Sequence, residues 1–504
     1  MDTIFDIINA QRLEAPAIGA LGRDPLTFGQ LAELATKINS TLNSIGIGRG
    51  DRVAIVLPNG PEMAAAFLTI AAGASAAPVN PAYTKSEFGF YLKDLGAGAL
   101  VVDADSRSPA RAAAHEIGIP VLTIQWARSD PAGMFRLRAA GLRAKAARPG
   151  RSKPSDEALV LHTSGTTSQP KVVPLSNANL AASARHICES LRLTRRDVGL
   201  NIMPLFHIHG LVASLLSSMA AGSQVVCTPG FDALKFFRWL NAASPTWYTA
   251  VPTMHQAILG CASRNQTVVS NAHLRFIRSS SSSLPPPVMH ELEETFACPV
   301  IEAYGMTEAA HQMASNPLPP QARKPGTVGM AAGPDIAIMN EAGKLLATGA
   351  RGEIVVCGAN MFAGYENNPA ANAGAFSGAW FRTGDLGFLD DDGYLTISGR
   401  LKEIINRGGE KITPREVDDV IQAHPAVDQV VTVAIAHAKL GEEVAAVVVF
   451  KAGRAVEPSE IRAFAALRLA KFKGPSKIII RYEIPEGATG KLQRIGLAKK
   501  LGLV

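Results

Sequence analysis

The sequence predicts an α/β protein whose large N-terminal domain consists of parallel or mixed sheets covered by helices. Apolar, β-branched runs such as 51–57 (DRVAIVL), 99–103 (ALVVD) and 224–229 (QVVCTP) alternate with helical-looking stretches at 61–72 and 176–190. Strands that read as continuous apolar runs are typical of sheets that helices cover on both faces. A chain of 504 residues is also longer than one hydrophobic core usually serves, so we expect at least two domains.

The chain changes character near residue 400. A turn, a strand and a charged, glycine-rich connector follow one another in FLDDDGYLTISGRLKEIINRGGEK. After this connector come the helical PREVDDVIQAH, the strand-like VVTVAIA and AAVVVF, the helical PSEIRAFAALRLA and the strand-like KIIIRY. This pattern predicts an N-terminal domain at 1–400 and a small α+β lid domain at 401–504.

Composition and charge exclude several classes of protein. The net charge of +7 is modest for this length and no dense Lys/Arg block occurs, which argues against a nucleic-acid surface and fits a protein that handles small polyanions. The most apolar run, 63–79, consists mostly of Ala and Gly, so we expect a buried core helix and no membrane span. Five widely spaced cysteines and an acidic N-terminus without signal-peptide character favour a cytoplasmic location.

Two segments place small residues beside a lysine. LHTSGTTSQPK (161–171) has the hydroxyls and the cation of a polyphosphate site, although an ordinary Ser/Thr-rich turn would look similar. GATGK (487–491), in the second domain, also places small residues before a lysine. Neither segment has the spacing of a Walker-type P-loop. Together they indicate a nucleotide that both domains contact, one from each side.

Two further motifs offer carboxylates. YGMTE (304–308) follows the strand-like PVIEA and presents Tyr304, Thr307 and Glu308 at a strand end, where α/β sheets bind ligands. Glu308 could hold the Mg²⁺ of a metal–nucleotide complex, or it could be a solvated loop acid. WFRTGDLG (380–387) puts Asp385 in a glycine-flanked loop that suits two ribose hydroxyls, although the same pattern is common in ordinary turns.

The connector and three histidines complete the candidate site. GRLKEIINRGGEKI (399–412) contains Arg400 as a second ribose or phosphate partner and Lys402 at the domain joint. Its pair Gly408–Gly409 allows the backbone to approach an extended ligand closely. Single histidines are commonly structural, but His207, His209 and His311 lack metal-ligand spacing and together resemble donors for an anion or a carboxylate; these three stand in PLFHIHG and AAHQM.

The order of these motifs resembles that of the ANL superfamily of adenylate-forming enzymes, which includes the acyl-CoA synthetases. The series TSGTT…PK, the histidine segment, YGMTE, TGD, GRxKExIxxGGE and TGK spans nearly the whole chain. One departure is Ser168, where family members usually have glycine after TSGTT, and we expect only a small change in loop freedom there.

The resemblance implies that the protein joins a carboxylic acid to ATP, releases pyrophosphate, and then passes the acyl group to the thiol of coenzyme A. It assigns the following roles: Thr163, Ser164, Gly165, Thr166, Thr167 and Lys171 to the β- and γ-phosphates, Glu308 to Mg²⁺, Thr307 to the α-phosphate, Tyr304 and the backbone around Ser281, Ser282 and Ser283 to adenine, and Asp385 and Arg400 to ribose. It also counts Glu302 and Ala303 among the ATP-binding residues. Lys491 would neutralise charge between the carboxylate and the α-phosphate.

The same resemblance implies a hinge at Lys402, about which the small domain rotates before thioester formation. The face that carries Gly408 and Gly409 would then line the pantetheine tunnel, with His207 as a gate and a catalytic residue. One hinge would thus build two active sites in succession. The sequence predicts neither the oligomeric state nor the pathway.

The acyl pocket points to a small polar acid. FIRSSSSSLPP (276–286) and AAHQMASNPLP (309–319) would surround it with serines and a histidine, which reject an apolar tail and can bond a second carboxylate. Arg278 would either add positive charge to this pocket or form an ion pair away from it. The local sequences most resemble the oxalate–CoA ligase group, in which residues matching His207, Ser281 and His311 would face the substrate.

Oxalate is therefore the first choice of substrate, malonate the second, and a medium- or long-chain fatty acid the third. Two other classes stay open: an adenylating enzyme that loads a carrier protein or oxidises the adenylate, and a nucleotide-binding protein without turnover. The second would need Lys491, Glu308 or Asp385 to be missing, and all three are present.

Overall fold

A computed structural model describes residues 1–139, 144–163, 170–485, 494 and 496–503. Two large sheets and a smaller antiparallel sheet form the N-terminal part, and a fourth sheet forms the C-terminal part. The predicted α/β class, with a large N-terminal and a smaller C-terminal domain, is confirmed.

The largest sheet has nine strands, and its six central strands run parallel. The three strands that pair antiparallel lie at its edges. In spatial order the strands are Met330–Ala331, His311–Ser315, Val300–Met306, Phe276–Ser280, Trp247–Ala250, Val198–Asn201, Gln224–Cys227, Pro16–Ala20 and Arg23–Thr27.

The second sheet has seven strands, of which the five inner ones are parallel. Its last two strands pair antiparallel, and residues 164–169, which stand between them in the sequence, lie outside the described residues. In spatial order the strands are Arg136–Arg138, Val121–Gln125, Ala99–Asp103, Arg52–Val56, Ser75–Pro78, Glu157–Thr163 and Lys171–Ser176.

Several helices of the N-terminal part begin at strong local signals. Ser176, for example, caps the predicted helix near 176–190, because its hydroxyl accepts from the Asn179 amide while the Asn179 side chain bonds back to the Ser176 amide. The helices are Ile4–Asn9, Phe28–Ser44, Pro61–Ala71, Lys85–Asp94, Pro109–Glu116, Asn177–Ser190, Ser217–Ala221, Ala233–Ala243, Pro252–Ala262, Gln266–Ser270, Pro286–Phe296 and Pro369–Ala373, with a π-helix at His209–Leu216 and 3₁₀ turns at Ser263–Asn265 and Thr307–Ala309.

A five-stranded antiparallel sheet connects this body to the C-terminal domain. Its strands are Asp335–Met339, Gly352–Cys357, Phe376–Ser377, Trp380–Leu389 and Leu395–Arg400, and a 3₁₀ turn at Leu401–Glu403 follows it. The C-terminal sheet contains Ile405–Arg407, Glu410–Ile412, Val427–His437, Gly441–Phe450 and Lys477–Ile480, with helices at Pro414–Gln422, Pro458–Ala466 and Leu497–Lys500. The elements predicted after the connector are therefore found, together with an unpredicted hairpin inside the connector itself.

The apolar run at 63–79 was expected to be one core helix, and it is a helix followed by a strand. The helix ends at Ala71, and the run continues as the buried strand Ser75–Pro78. Gly73 lies between the two elements, and a Cβ there would lie 2.5 Å from the Asn39 side chain, so glycine allows the close approach at this turn. Of the helices in the described ranges, none combines the length and the apolar character that crossing a lipid bilayer requires.

Candidate active site

The candidate residues gather where the parallel strands of the nine-stranded sheet end. Trp247–Ala250, Phe276–Ser280 and Val300–Met306 all finish at this edge, and the π-helix His209–Leu216 begins beside it. Polar side chains at the carboxyl ends of parallel strands face one shared crevice. Residues that are far apart in sequence therefore meet there.

Tyr304, Asp385 and Arg400 form one hydrogen-bonded group. Arg400 Nε donates to Asp385 Oδ1 at 2.7 Å, and the Tyr304 hydroxyl donates to Asp385 Oδ2 at 2.5 Å. Burial and the adjacent Asp385 carboxylate raise the pKa of Tyr304 well above its usual value, so Tyr304 stays a donor. If two ribose hydroxyls bound Asp385, they would share its carboxylate oxygens with Arg400 and Tyr304 or displace these two donors.

Glu308 lies in a second group with Tyr365 and Lys171. The Tyr365 hydroxyl donates to Glu308 Oε1 at 2.8 Å, and Lys171 Nζ lies 4.0 Å from the centre of the Tyr365 ring. Burial raises the pKa of Glu308, although Tyr365, Lys171 and Arg400 oppose the shift. Burial also lowers the pKa of Lys171, and the nearby Lys402 adds to that effect. Burial thus disfavours the charged forms of both Glu308 and Lys171. A bound metal ion would stabilise the Glu308 carboxylate, and a polyphosphate would stabilise the Lys171 ammonium group.

A tight turn sets the position of His311. Ala310 and His311 have φ angles of 46° and 101°, in the left-handed region, and the amide of Asn360 bonds the backbone carbonyls of Ala309 and Gln312 at 2.7 and 2.8 Å. A Cβ at Gly305 would lie 1.7 Å from the His311 carbonyl oxygen, so only glycine fits there. This requirement explains the glycine of the YGMTE motif.

The end of the crevice that is predicted to hold the acid is polar. His209 Nδ1 lies 3.0 Å from Ser281 Oγ, His209 Nε2 lies 2.6 Å from Thr249 Oγ1, and the His209 ring stacks on His311 with centroids 5.0 Å apart. Ser281 has a φ of 76°, and this backbone conformation turns the chain at the strand end. Arg278 lies buried next to this group and contacts Thr249 and His209.

Glu302 is a buried carboxylate on the strand Val300–Met306. Its Oε1 accepts from the backbone N–H of Leu284 at 2.9 Å, and burial raises the pKa of Glu302 to about 7. Arg415 of the C-terminal domain opposes that shift and hydrogen-bonds Ser283, so the two domains meet at this point.

Replacing Glu302 with glutamine should stabilise the protein in a pH-dependent way. The folded state holds the Glu302 proton up to about pH 7 and the unfolded state loses it near 4.5, so this group's contribution to stability falls as the pH rises between those values. We expect little change in the free energy of unfolding near pH 5 and a gain of about 2 kcal/mol near pH 8. Urea denaturation at both pH values measures this difference.

The exposed Glu291 on the adjacent helix Pro286–Phe296 is the matched control. Glu291→Gln should change the free energy of unfolding little at either pH. An equal gain from Glu302→Gln at both pH values would contradict the assigned cause.

The remaining predicted residues are placed as follows. Thr163 and Lys171 pair across the hairpin of the seven-stranded sheet. The Ala303 carbonyl accepts from the Ser280 hydroxyl at 2.9 Å, and Thr307 begins its 3₁₀ turn, while Ser282 is exposed. Ser164, Gly165, Thr166, Thr167, Ser168 and Lys491 lie outside the described residues.

The connector residues have clear structural roles. Lys402 lies in the 3₁₀ turn that joins the antiparallel sheet to the C-terminal sheet. Gly408 and Gly409 form the turn of the hairpin 405–412, with φ angles of 61° and 97°. Both angles are in the region that favours glycine. A role in the pantetheine tunnel stays a prediction.

Sequence reasoning missed several site residues. Tyr365, Thr249 and Gln312 carry no motif, and their types are ordinary for a strand or a loop. The substrate-facing role that the resemblance gives to His207 stays a prediction. His207 Nδ1 accepts from the His209 backbone N–H at 3.3 Å, and His209, which the sequence also indicates as an anion donor, contacts Ser281.

Comparisons with known proteins agree with this geometry. A family model described as AMP-binding enzyme matches residues 5–366, and one described as AMP-binding enzyme C-terminal domain matches 416–491. Oxalate–CoA ligase from Arabidopsis thaliana is 43% identical, covering 95% of this chain and 94% of the relative. Oxalate–CoA ligase from Saccharomyces cerevisiae is 38% identical, with 94% and 90% covered. The ATP-bound crystal structure of MatB from Rhodopseudomonas palustris superposes with a TM-score of 0.88 at 30% identity, with 100% and 98% covered.

Proposed function

Since this chain belongs to the AMP-binding enzyme family and is an acid–thiol ligase, we propose that it converts oxalate to its coenzyme A thioester with ATP as the energy source. The family match confirms the sequence-based prediction of an acyl-CoA synthetase of the ANL superfamily. In the first step the acid attacks the α-phosphorus of ATP and pyrophosphate leaves. In the second step the thiol of coenzyme A attacks the acyl carbon and AMP leaves.

The physical obstacle is repulsion between a carboxylate and a polyanion, so catalysis consists mainly of positioning and charge neutralisation. We propose that Lys171 binds the outer phosphates, that Asp385 and Arg400 hold the ribose, and that Tyr304 packs on adenine. Lys491 would approach the reacting carboxylate from the C-terminal domain. The cationic and hydrogen-bonding groups described around Asp385 and Glu308 support these roles.

Glu308 is the residue we propose for Mg²⁺. Among the described residues no group of three or more metal-binding side chains occurs, so a magnesium ion at Glu308 would take most of its ligands from phosphate and water, as Mg²⁺ commonly does. The buried carboxylate, held by Tyr365 beside Lys171, fits this arrangement. When bound, the ion supplies charge neutralisation at the phosphates.

The choice of oxalate rests on one observation above all: Ser281, His209 and His311 contact one another at the proposed acyl end of the crevice, and the buried Arg278 contacts His209. An apolar tail would cover these polar groups without accepting a hydrogen bond from them, whereas the oxygens of a compact dianion could accept such bonds. Two relatives are oxalate–CoA ligases, which agrees with this reading. Malonate, which has one more carbon between its carboxylates, is the second candidate, and a fatty acid is the third.

An ATP–pyrophosphate exchange screen tests the substrate. We expect oxalate to give the highest kcat/KM among oxalate, malonate, acetate, octanoate and benzoate, by a factor of about 10 or more over any monocarboxylate. Exchange with octanoate and none with oxalate would overturn the proposal. Analysis of the product with free coenzyme A separates thioester formation from the loading of a carrier protein.

A further inference from the structure

Arg278 is a buried arginine in the middle of a strand, beneath the acyl end of the site. Its side chain is fully buried, and its two terminal nitrogens reach three polar side chains. Nη1 lies 3.5 Å from both Thr249 Oγ1 and His209 Nε2, and Nη2 lies 3.3 Å from Gln312 Oε1. Within the described ranges Nε makes no hydrogen bond.

The charge of Arg278 lacks a compensating acid in the part of the chain that the structure describes. Burial alone lowers the pKa of Arg278 to about 9, and no carboxylate raises it again. The guanidinium is still protonated at neutral pH. A buried cation without a counter-charge destabilises a fold, so its presence at a crevice indicates an anionic ligand.

Hydrogen-bond directions can be followed from the guanidinium outward. Arginine only donates hydrogen bonds, so Thr249 Oγ1 accepts one from Arg278. The Thr249 hydroxyl can then donate its own hydrogen bond to His209 Nε2. His209 Nε2 is then an acceptor, which places the ring proton on Nδ1 and directs it to Ser281 Oγ. The Ser281 hydroxyl, which already accepts from His209, keeps its own proton for a substrate oxygen.

We propose that Arg278 is a positioning and specificity-determining residue that acts through Thr249 and His209 to hold Ser281 as a donor and that supplies the buried positive charge by which the site selects a dianionic acid. This inference rests on the proposed function, a ligase for a small dicarboxylate. It assigns Arg278 and Thr249 to recognition of the second carboxylate, and it explains why an unpaired cation is retained in the core.

A purely structural role predicts a different result. If Arg278 only filled space and donated a hydrogen bond to Gln312, its replacement would destabilise the protein and weaken the binding of all acids equally. If Arg278 serves the substrate, Arg278→Met removes an unfavourable buried charge and should leave the melting temperature unchanged or higher. The same change should weaken binding of the dianion selectively.

The test compares oxalate with oxamate, its monoamide, which has nearly the same shape and one negative charge. In the full-length Arg278→Met protein we expect the KM for oxalate in ATP–pyrophosphate exchange to rise about 30-fold, with the KM for ATP and the inhibition constant of oxamate within about twofold of wild type. Thr249→Val keeps the charge but removes the linking hydroxyl, and should raise the KM for oxalate about fivefold. Thr249→Ser should restore it.

Arg238→Met, at an exposed position of the helix Ala233–Ala243, is the matched control and should change none of these quantities. An unchanged KM for oxalate in Arg278→Met, or an equal weakening of oxalate and oxamate, would overturn the inference while the proposed function stands. Wild-type enzyme that gives exchange only with monocarboxylates would overturn both.

Discussion

Replacing Lys491 with alanine should lower acid-dependent ATP–pyrophosphate exchange about 1000-fold, because one cation offsets the repulsion between the attacking carboxylate and the α-phosphate. Thioester formation from a supplied acyl-adenylate and coenzyme A should stay within about fivefold of wild type, since pyrophosphate and the incoming carboxylate are absent from that step. Exchange and thioester assays on the same preparation measure the two half-reactions separately.

The matched control is Lys499→Ala, which removes an exposed lysine from the nearby helix Leu497–Lys500. Both half-reactions should be unaffected in that variant. Equal loss of both half-reactions in Lys491→Ala would refute the assigned role, because it would indicate a damaged fold or a general binding defect.

The neighbourhood of Arg494 gives this prediction a structural basis. Arg494 lies three positions after Lys491 and donates to the carbonyl of Thr432 at 2.9 Å and to the carboxylates of Glu403 and Asp418. Glu403 immediately follows Lys402, the predicted hinge. Arg494 is thus fixed to the first residues after the joint, so we expect a rotation about Lys402 to carry Arg494 with it.

The sequence predicted the parts of the fold and of the site that depend on local signals. Continuous apolar runs identified the parallel strands, and glycine-flanked motifs identified Tyr304, Asp385 and Arg400, which the structure brings into one group. In these cases the residue type and its immediate neighbours carry the information.

The contacts that depend on long-range packing were not predictable. Tyr365 reaches Glu308 from 57 positions away, and Thr249 reaches His209 from 40 positions away, and neither has a motif of its own. The sequence also could not decide whether Arg278 pairs with an acid. That question depends on which side chains surround the finished strand, and hydrophobic periodicity does not contain this information.

The second large effect is expected for Glu308→Gln. A neutral amide keeps the shape and can still accept from the Tyr365 hydroxyl, but it removes the negative charge that would bind Mg²⁺. We expect exchange at saturating magnesium to fall about 100-fold and the magnesium concentration for half-maximal activity to rise about tenfold. Calorimetric titration of Mg²⁺–ATP gives a readout that does not depend on turnover and should show weaker binding.

Tyr365→Phe is the informative companion, because it removes the hydroxyl that bonds Glu308 while it keeps the ring next to Lys171. Loss of this donor should weaken exchange only about fivefold, since the carboxylate and its charge stay in place. If Glu308→Gln lowered the rate without changing the magnesium requirement or the calorimetric affinity, Glu308 would act by position alone. The metal would then have to be held by other groups, and the buried carboxylate beside Lys171 would need a different explanation.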